Sequence, residues 1–135
     1  MLDLETEVER ALRYKTPLTV LMIDLDHFKE VSDRFGHQVG DILLKTVAGV
    51  IASALRKLDI LGRYRGEEFI ILLPQTDLEP AKILAERLRV NIEDMVIETD
   101  SIDKLSPTAN IGMAVLDREK DDADSFINRA DKALY

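Results

Sequence analysis

Cysteine is absent from the 135 residues, which removes disulfide staples, thiolate metal sites and cysteine nucleophiles at once and suits a reducing compartment. Glycine and proline are scarce, at 6 and 4, so the chain is neither collagen-like nor a flexible linker. No apolar run approaches the roughly 20 residues that cross a bilayer. Met1 is followed by acidic residues rather than a basic leader. Basic residues are the minority: 18 Lys and Arg stand against 26 Asp and Glu, net charge −8, and they are scattered. A nucleic-acid backbone is therefore not an expected partner, whereas a nucleotide triphosphate remains one if divalent metal supplies the positive charge. The expectation is a soluble cytoplasmic unit, compatible with a membrane-attached parent.

What is present is the composition of one packed domain, 46% hydrophobic and 33% charged. Apolar residues at Leu4, Val8, Ala11 and Leu12 predict a helix over Leu2 to Lys15, ending near Pro17. LTVLMIDLD, Leu18 to Asp26, has no polar residue between Val20 and Asp24 and reads as a central strand buried on both faces. Residues 27 to 40 predict a short helix and a Gly-punctuated loop, with Asp41 capping a helix whose inner face is Ile42, Leu43, Val47, Val50, Ile51, Ala54 and Leu55. Strands Ile60 to Tyr64 and Glu67 to Leu73 flank Arg65-Gly66 as a two-residue hairpin turn, closed by Pro74.

Thr76 to Glu79 has capping-box spacing before a helix with Ala81, Leu84, Ala85, Leu88 and Ile92 inward. Residues 94 to 107 give no clear pattern. Ala109 to Leu116 reads as a strand and Asp122 to Tyr135 as a helix with Phe126, Ile127, Ala130 and Leu134 inward. The fold class is an α/β (α+β) sandwich without repeats.

Chemistry concentrates at two strand ends. Asp24 and Asp26 are two apart and share one strand face. If the hairpin's outgoing strand lies beside them, Glu67 comes near Asp24, a carboxylate pair that suits Mg²⁺ bound together with substrate phosphates. Solvated acidic residues at a strand edge are the plain alternative, and Glu68 can equally pair with Arg63. Between these ends, the loop FKEVSDRFGHQVGD turns into a helix whose first amides are free to bind an anion or to cap on Asp41, and Lys29 is within reach of a phosphate. Phe28 and Phe35 read as core residues, His37 as a structural hydrogen-bonding group.

In order along the chain, MIDLDHFKEVSDRFGHQVGD, RYRGEEFIILLP, ANIGMAV and ADKALY resemble the GGDEF domain, the diguanylate cyclase family. The resemblance runs from about Glu9 to Tyr135. It implies a polymerase-palm-like fold with a mainly antiparallel sheet flanked by helices, as one domain over 1–135 trimmed at both ends. It implies condensation of two GTP to cyclic di-GMP and pyrophosphate in a homodimer, under a regulatory domain in the parent. Two Mg²⁺ or Mn²⁺ per active site are implied, on Asp24, the Leu25 carbonyl and Glu67, with Glu68 and Lys29 catalytic. Phe28, Lys29, Ser32, Asp41, Arg65 and Gly66 are implied in substrate binding, and Arg56 and Asp59 as the RxxD site where product inhibits.

Two departures bear on activity. Arg65 stands where the family has glycine, a position that a two-residue turn makes uncomfortable for arginine if φ is positive. Ser32 stands where the family usually has the asparagine that reads guanine, which weakens affinity or selectivity. They leave two rivals open: a degenerate domain that binds cyclic di-GMP or GTP without turnover, and a cyclase of altered nucleotide choice.

Overall fold

The first strand organises the molecule. In the computed structural model, which describes residues 4–99, 102–105 and 107–134, β1 (Leu18–Leu25) is buried along its length except at Asp24. It lies between β3 (Glu68–Pro74) and β6 (Ala109–Val115), antiparallel to both. β2 (Ile60–Arg65) pairs outside β3, giving the order β2-β3-β1-β6. Such an apolar, β-branched run needs cover on both faces, and helices supply it.

Side-chain alternation divides the core in two. Leu21, Ile23 and Leu25, with Phe69, Ile71 and Leu73, meet α3 (His37–Ala54) and α4 (Leu78–Asp94). Val20 and Met22, with Ile70 and Leu72, meet α1 (Leu4–Tyr14) and α5 (Ala123–Lys132). The remaining helix, α2 (Phe28–Phe35), packs on α3 through Phe28 and Val31. The α+β sandwich expected from the sequence is thus observed.

Several local expectations are corrected. Asp41 does not cap α3, because the helix begins four residues earlier at His37; Gly36, with φ 96°, makes the break from α2 by itself. Ile42 is 43% exposed, and Leu44 takes the inward position. The capping box expected from Thr76 does not form: Asp77 is the N-cap of α4 and makes no side-chain cap, and the Thr76 hydroxyl turns back to the Pro74 carbonyl. The capping box sits instead at α5, between Asp122 and Ser125.

Residues 94 to 107 contain a small antiparallel hairpin, β4 (Ile97–Thr99) with β5 (Ile102–Leu105), too short for its pattern to show. The ends expected at Leu2 and Tyr135 lie outside the described residues. Among the described residues no helix is long and apolar enough to cross a membrane.

Candidate active site

The acidic strand ends do meet, and the ladder fixes how. Asp24 is the register partner of Glu68 on β3 and of Asn110 on β6. Glu67 lies one step on, in the turn, where its carbonyl accepts the Leu25 N–H at 3.3 Å. The carboxylate directly facing Asp24 is therefore Glu68 rather than Glu67, with Glu67 beside Leu25.

That arrangement moves the hairpin turn. It centres on Gly66-Glu67, with Arg65 inside β2 and paired opposite Glu68 after a register shift between Arg63 and Arg65. Neither Arg65 nor Gly66 has positive φ, so the strain expected for Arg65 does not arise. A bulge absorbs the geometry instead. Arg65 lies over the Tyr64 ring at 5.0 Å, and Arg63 lies over Phe69 and donates to the Gly66 carbonyl.

Like charges at this end are costly. Burial first, then the negative charge of Asp24, pushes the Glu68 carboxyl above its ordinary value; Asp131 and Glu67 add to the rise and Arg65 opposes it. A raised folded pKa means that ionised Glu68 weakens the fold at neutral pH, with relief as pH falls through that raised value. Without metal, Glu68→Gln is expected to melt above wild type at pH 7. The gap should shrink toward the ordinary glutamate value of about 4.3. Scanning calorimetry across that range checks it, and a gap independent of pH would count against the electrostatic cause.

Asp26 behaves differently from Asp24. Its Oδ2 accepts from the Thr108 hydroxyl at 2.7 Å and its Oδ1 from Asn110 Nδ2 at 2.8 Å, so the D-x-D pair does not act as two equivalent ligands. Among the described residues no three Asp, Glu or His side chains converge to hold an ion unaided. The donors on hand, Asp24, the Leu25 carbonyl and Glu67, are all oxygen. Such a set would suit a hard cation completed by phosphate oxygens, and a cation there would relieve the Asp24–Glu68 repulsion.

The next segment begins at His27, with φ 58°, which swings the chain from strand into α2. Phe28 is half-buried and Lys29 exposed at the first turn of α2. The Ser32 hydroxyl lies 3.2 Å from His37 Nδ1, in accord with a structural role for His37. Gly40 keeps α2 and α3 close, since a Cβ there would sit 3.2 Å from the Phe28 ring. Asp41 is exposed on α3.

Far from these carboxylates, Arg56 and Asp59 form a closed pair. Arg56 donates from Nη2 to Asp59 Oδ1 at 2.8 Å and from Nε to Oδ2 at 3.2 Å, and its backbone N–H also reaches Oδ2. Arg56 Nη2 contacts Thr76 Oγ1 at 2.7 Å as well. This pair lines a cleft of about 360 Å³ with Gln75, Ile83 and Arg87. Arg87 was not expected from the sequence, where it is one of two arginines on α4. Only the packing of α4 against α3 brings it to the cleft that Arg56 lines.

A family model described as diguanylate cyclase, GGDEF domain, matches residues 2–135. The chain belongs to the GGDEF domain family. Diguanylate cyclase A of Treponema denticola is 43% identical over 121 residues, covering 90% of this chain and 32% of that protein. The GGDEF chain spans about a third or less of the curated relatives it matches. Among solved structures, the GGDEF domain of DgcB from Caulobacter crescentus, in complex with c-di-GMP, superposes with TM-score 0.91. It is 29% identical, over 98% of this chain and 78% of that one. The active GGEEF domain of a diguanylate cyclase from Vibrio cholerae gives 0.89 at 33% identity, over 98% and 83%.

Proposed function

We propose that this GGDEF domain condenses two molecules of GTP to cyclic di-GMP and pyrophosphate. The observation that carries the reading is the meeting of Asp24 and Leu25 with the Glu67-Glu68 turn across the β1–β3 ladder. Asp24, the Leu25 carbonyl and Glu67 would hold Mg²⁺ or Mn²⁺, two ions per site, and Glu68 would add charge opposite Asp24. Held there with the triphosphate, such ions would supply positive charge against the attacking and leaving oxygens of an in-line displacement.

The chain's own residues do the placing. The first amides of α2, at Phe28 and Lys29, face an anion with the positive end of the helix dipole, and the Lys29 ammonium adds charge. Arg65 and Gly66 lie where the phosphates approach the hairpin, so Arg65 offers a cation rather than a strained turn. Ser32 and Asp41 stand on α2 and α3 for the guanine, Ser32 with one hydroxyl where an amide would give both donor and acceptor. Because the product is two-fold symmetric, two such half-sites face each other in a homodimer, brought together by a regulatory domain of the parent.

The test is to incubate the full-length protein with Mg²⁺ and GTP, and separately with GTP plus ATP, and to resolve the products. Cyclic di-GMP is the expected product; no cyclic dinucleotide from an intact dimer would overturn the reading, and a mixed product would establish altered nucleotide choice through Ser32.

A second reading has its own support in the Arg56 cleft, whose size and two lining arginines suit a guanine nucleotide. There the product would bind and inhibit, or, in a domain without turnover, simply be sensed. Binding opens the Arg56–Asp59 pair, so that arginine stacks on guanine while Asp59 takes its edge. In calorimetry with cyclic di-GMP, Arg56→Ala should weaken binding at least 10-fold, about 1.4 kcal/mol. Equal binding would remove the cleft from consideration.

A further inference from the structure

Asp26 is an acidic residue that this mechanism leaves unused, although it sits two positions from Asp24; the shared strand face expected from the sequence does not form, because β1 ends at Leu25 and Asp26 lies in the turn beyond it. Its two carboxylate oxygens are committed to neutral donors of one neighbouring strand segment, the Thr108 hydroxyl and the Asn110 amide. Its backbone N–H is committed there too, donating to the Thr108 carbonyl at 2.9 Å. Asn110 is the register partner of Asp24, yet its side chain reaches diagonally to Asp26. Three bonds thus tie one residue to the β6 side where β1 has ended.

The need for such a tie lies in the neighbours of Asp26. On its C-terminal side His27 adopts a left-handed conformation, uncommon for a residue with a Cβ, and its carbonyl accepts the Val31 N–H that opens α2. On its N-terminal side Leu25 is held from the opposite strand by the Glu67 carbonyl. The strand end is therefore gripped between the hairpin turn and β6, and the sharp exit into α2 starts from that grip.

Building on the function proposed above, we infer that Asp26 is a positioning residue: a clasp to Thr108 and Asn110 that sets the Leu25 carbonyl and the Phe28 and Lys29 amides for the triphosphate. Groups one step removed from a metal site commonly matter 10–100-fold in activity, because they fix the groups that touch it. The clasp also accounts for Asn110, whose amide supplies a donor that spans from the Asp24 register to Asp26.

Asparagine distinguishes a clasp from a ligand. In Asp26→Asn the side-chain oxygen still accepts from Asn110, and the new amide donates to the Thr108 hydroxyl oxygen, so the turn is retained without the charge. The experiment uses the full-length protein with Mg²⁺ and GTP, comparing wild type, Asp26→Ala, Asp26→Asn and Asn110→Ala. Steady-state kinetics and melting are measured together with hydrogen exchange of the amides of residues 27–31.

The expected result is a fall in kcat/KM of about 10–100-fold in Asp26→Ala, a smaller fall in Asn110→Ala, and rescue by Asp26→Asn. Exchange at Val31, whose N–H bonds the His27 carbonyl, should quicken in Asp26→Ala and stay slow in Asp26→Asn. A folded Asp26→Ala with wild-type kcat/KM and exchange would overturn the inference. So would an Asp26→Asn variant as impaired as the alanine, which would make the charge itself the working group. Should wild type form no product, the cyclase reading fails by itself and the exchange data alone decide the clasp. If Asp26→Ala does not fold, Asn110→Ala carries the same comparison, and wild-type behaviour there counts against the clasp.

Discussion

Glu67→Gln is expected to lower cyclic di-GMP formation about 10³-fold or more while leaving the melting temperature near wild type. The carboxylate stands in the hairpin turn beside Leu25, and the fold uses only its backbone carbonyl there. Glutamine keeps that carbonyl and nearly the same shape. It removes the negative charge that, with Asp24, would hold the metal on the triphosphate. Loss of a metal's charge stabilisation amounts to several kcal/mol, and a thousandfold in rate corresponds to roughly 4 kcal/mol. Chromatographic product analysis at saturating GTP and Mg²⁺ checks it. A folded Glu67→Gln variant turning over at the wild-type rate would refute the metal role.

The largest expected loss of stability lies elsewhere, at Gly112→Ala. Here β6 and α5 approach so closely that a Cβ at 112 would press on the Ala130 carbonyl oxygen and lie 2.9 Å from the Leu134 nitrogen. Both are backbone atoms, so no side chain can swing away; either the helix shifts off the sheet or the strand bends. Ala130, Phe126 and Ile127 would then lose their seats against β1 and β3, where all three are buried. The resulting cost is about 3 kcal/mol, and in a chain of this size a fall in Tm of roughly 10 °C. Gly49→Ala is the matched control, since nothing stands within 4 Å of a Cβ there in mid-α3. It is expected to stabilise by up to about 1 kcal/mol. Equal melting of the two variants would show that the close approach does not matter.

Period and composition carried most of the architecture. The unbroken apolar run of β1 announced a strand covered on both sides, and the 3.6-residue spacing in α4 and α5 named residues that are buried. Boundaries failed where one residue's backbone decides. Gly36 breaks α2 from α3 without a loop, and a bulge at Arg63 to Arg65 shifts the hairpin turn by one residue. Neither event leaves a periodic trace.

For the candidate site, what could be read was which residue types stand at which strand ends, and the resemblance supplied their order. Pairing was harder. Only the register of three strands shows that Glu68 faces Asp24, and only the fold brings Thr108 and Asn110, more than 80 residues along, to the carboxylate of Asp26. Arg87 joined Arg56 for the same reason.

The strand β3 begins just after the Gly66-Glu67 turn and ends at Pro74, where the Arg56 cleft starts. At about 3.3 Å per residue its seven residues hold the two places roughly 20 Å apart, on a rod buried almost throughout. A guanine nucleotide in the cleft and a triphosphate at the turn of the same chain, as proposed above, would be kept from touching by that length alone. Communication between them would therefore have to act at a distance, as a lever does, and not by competition for shared atoms.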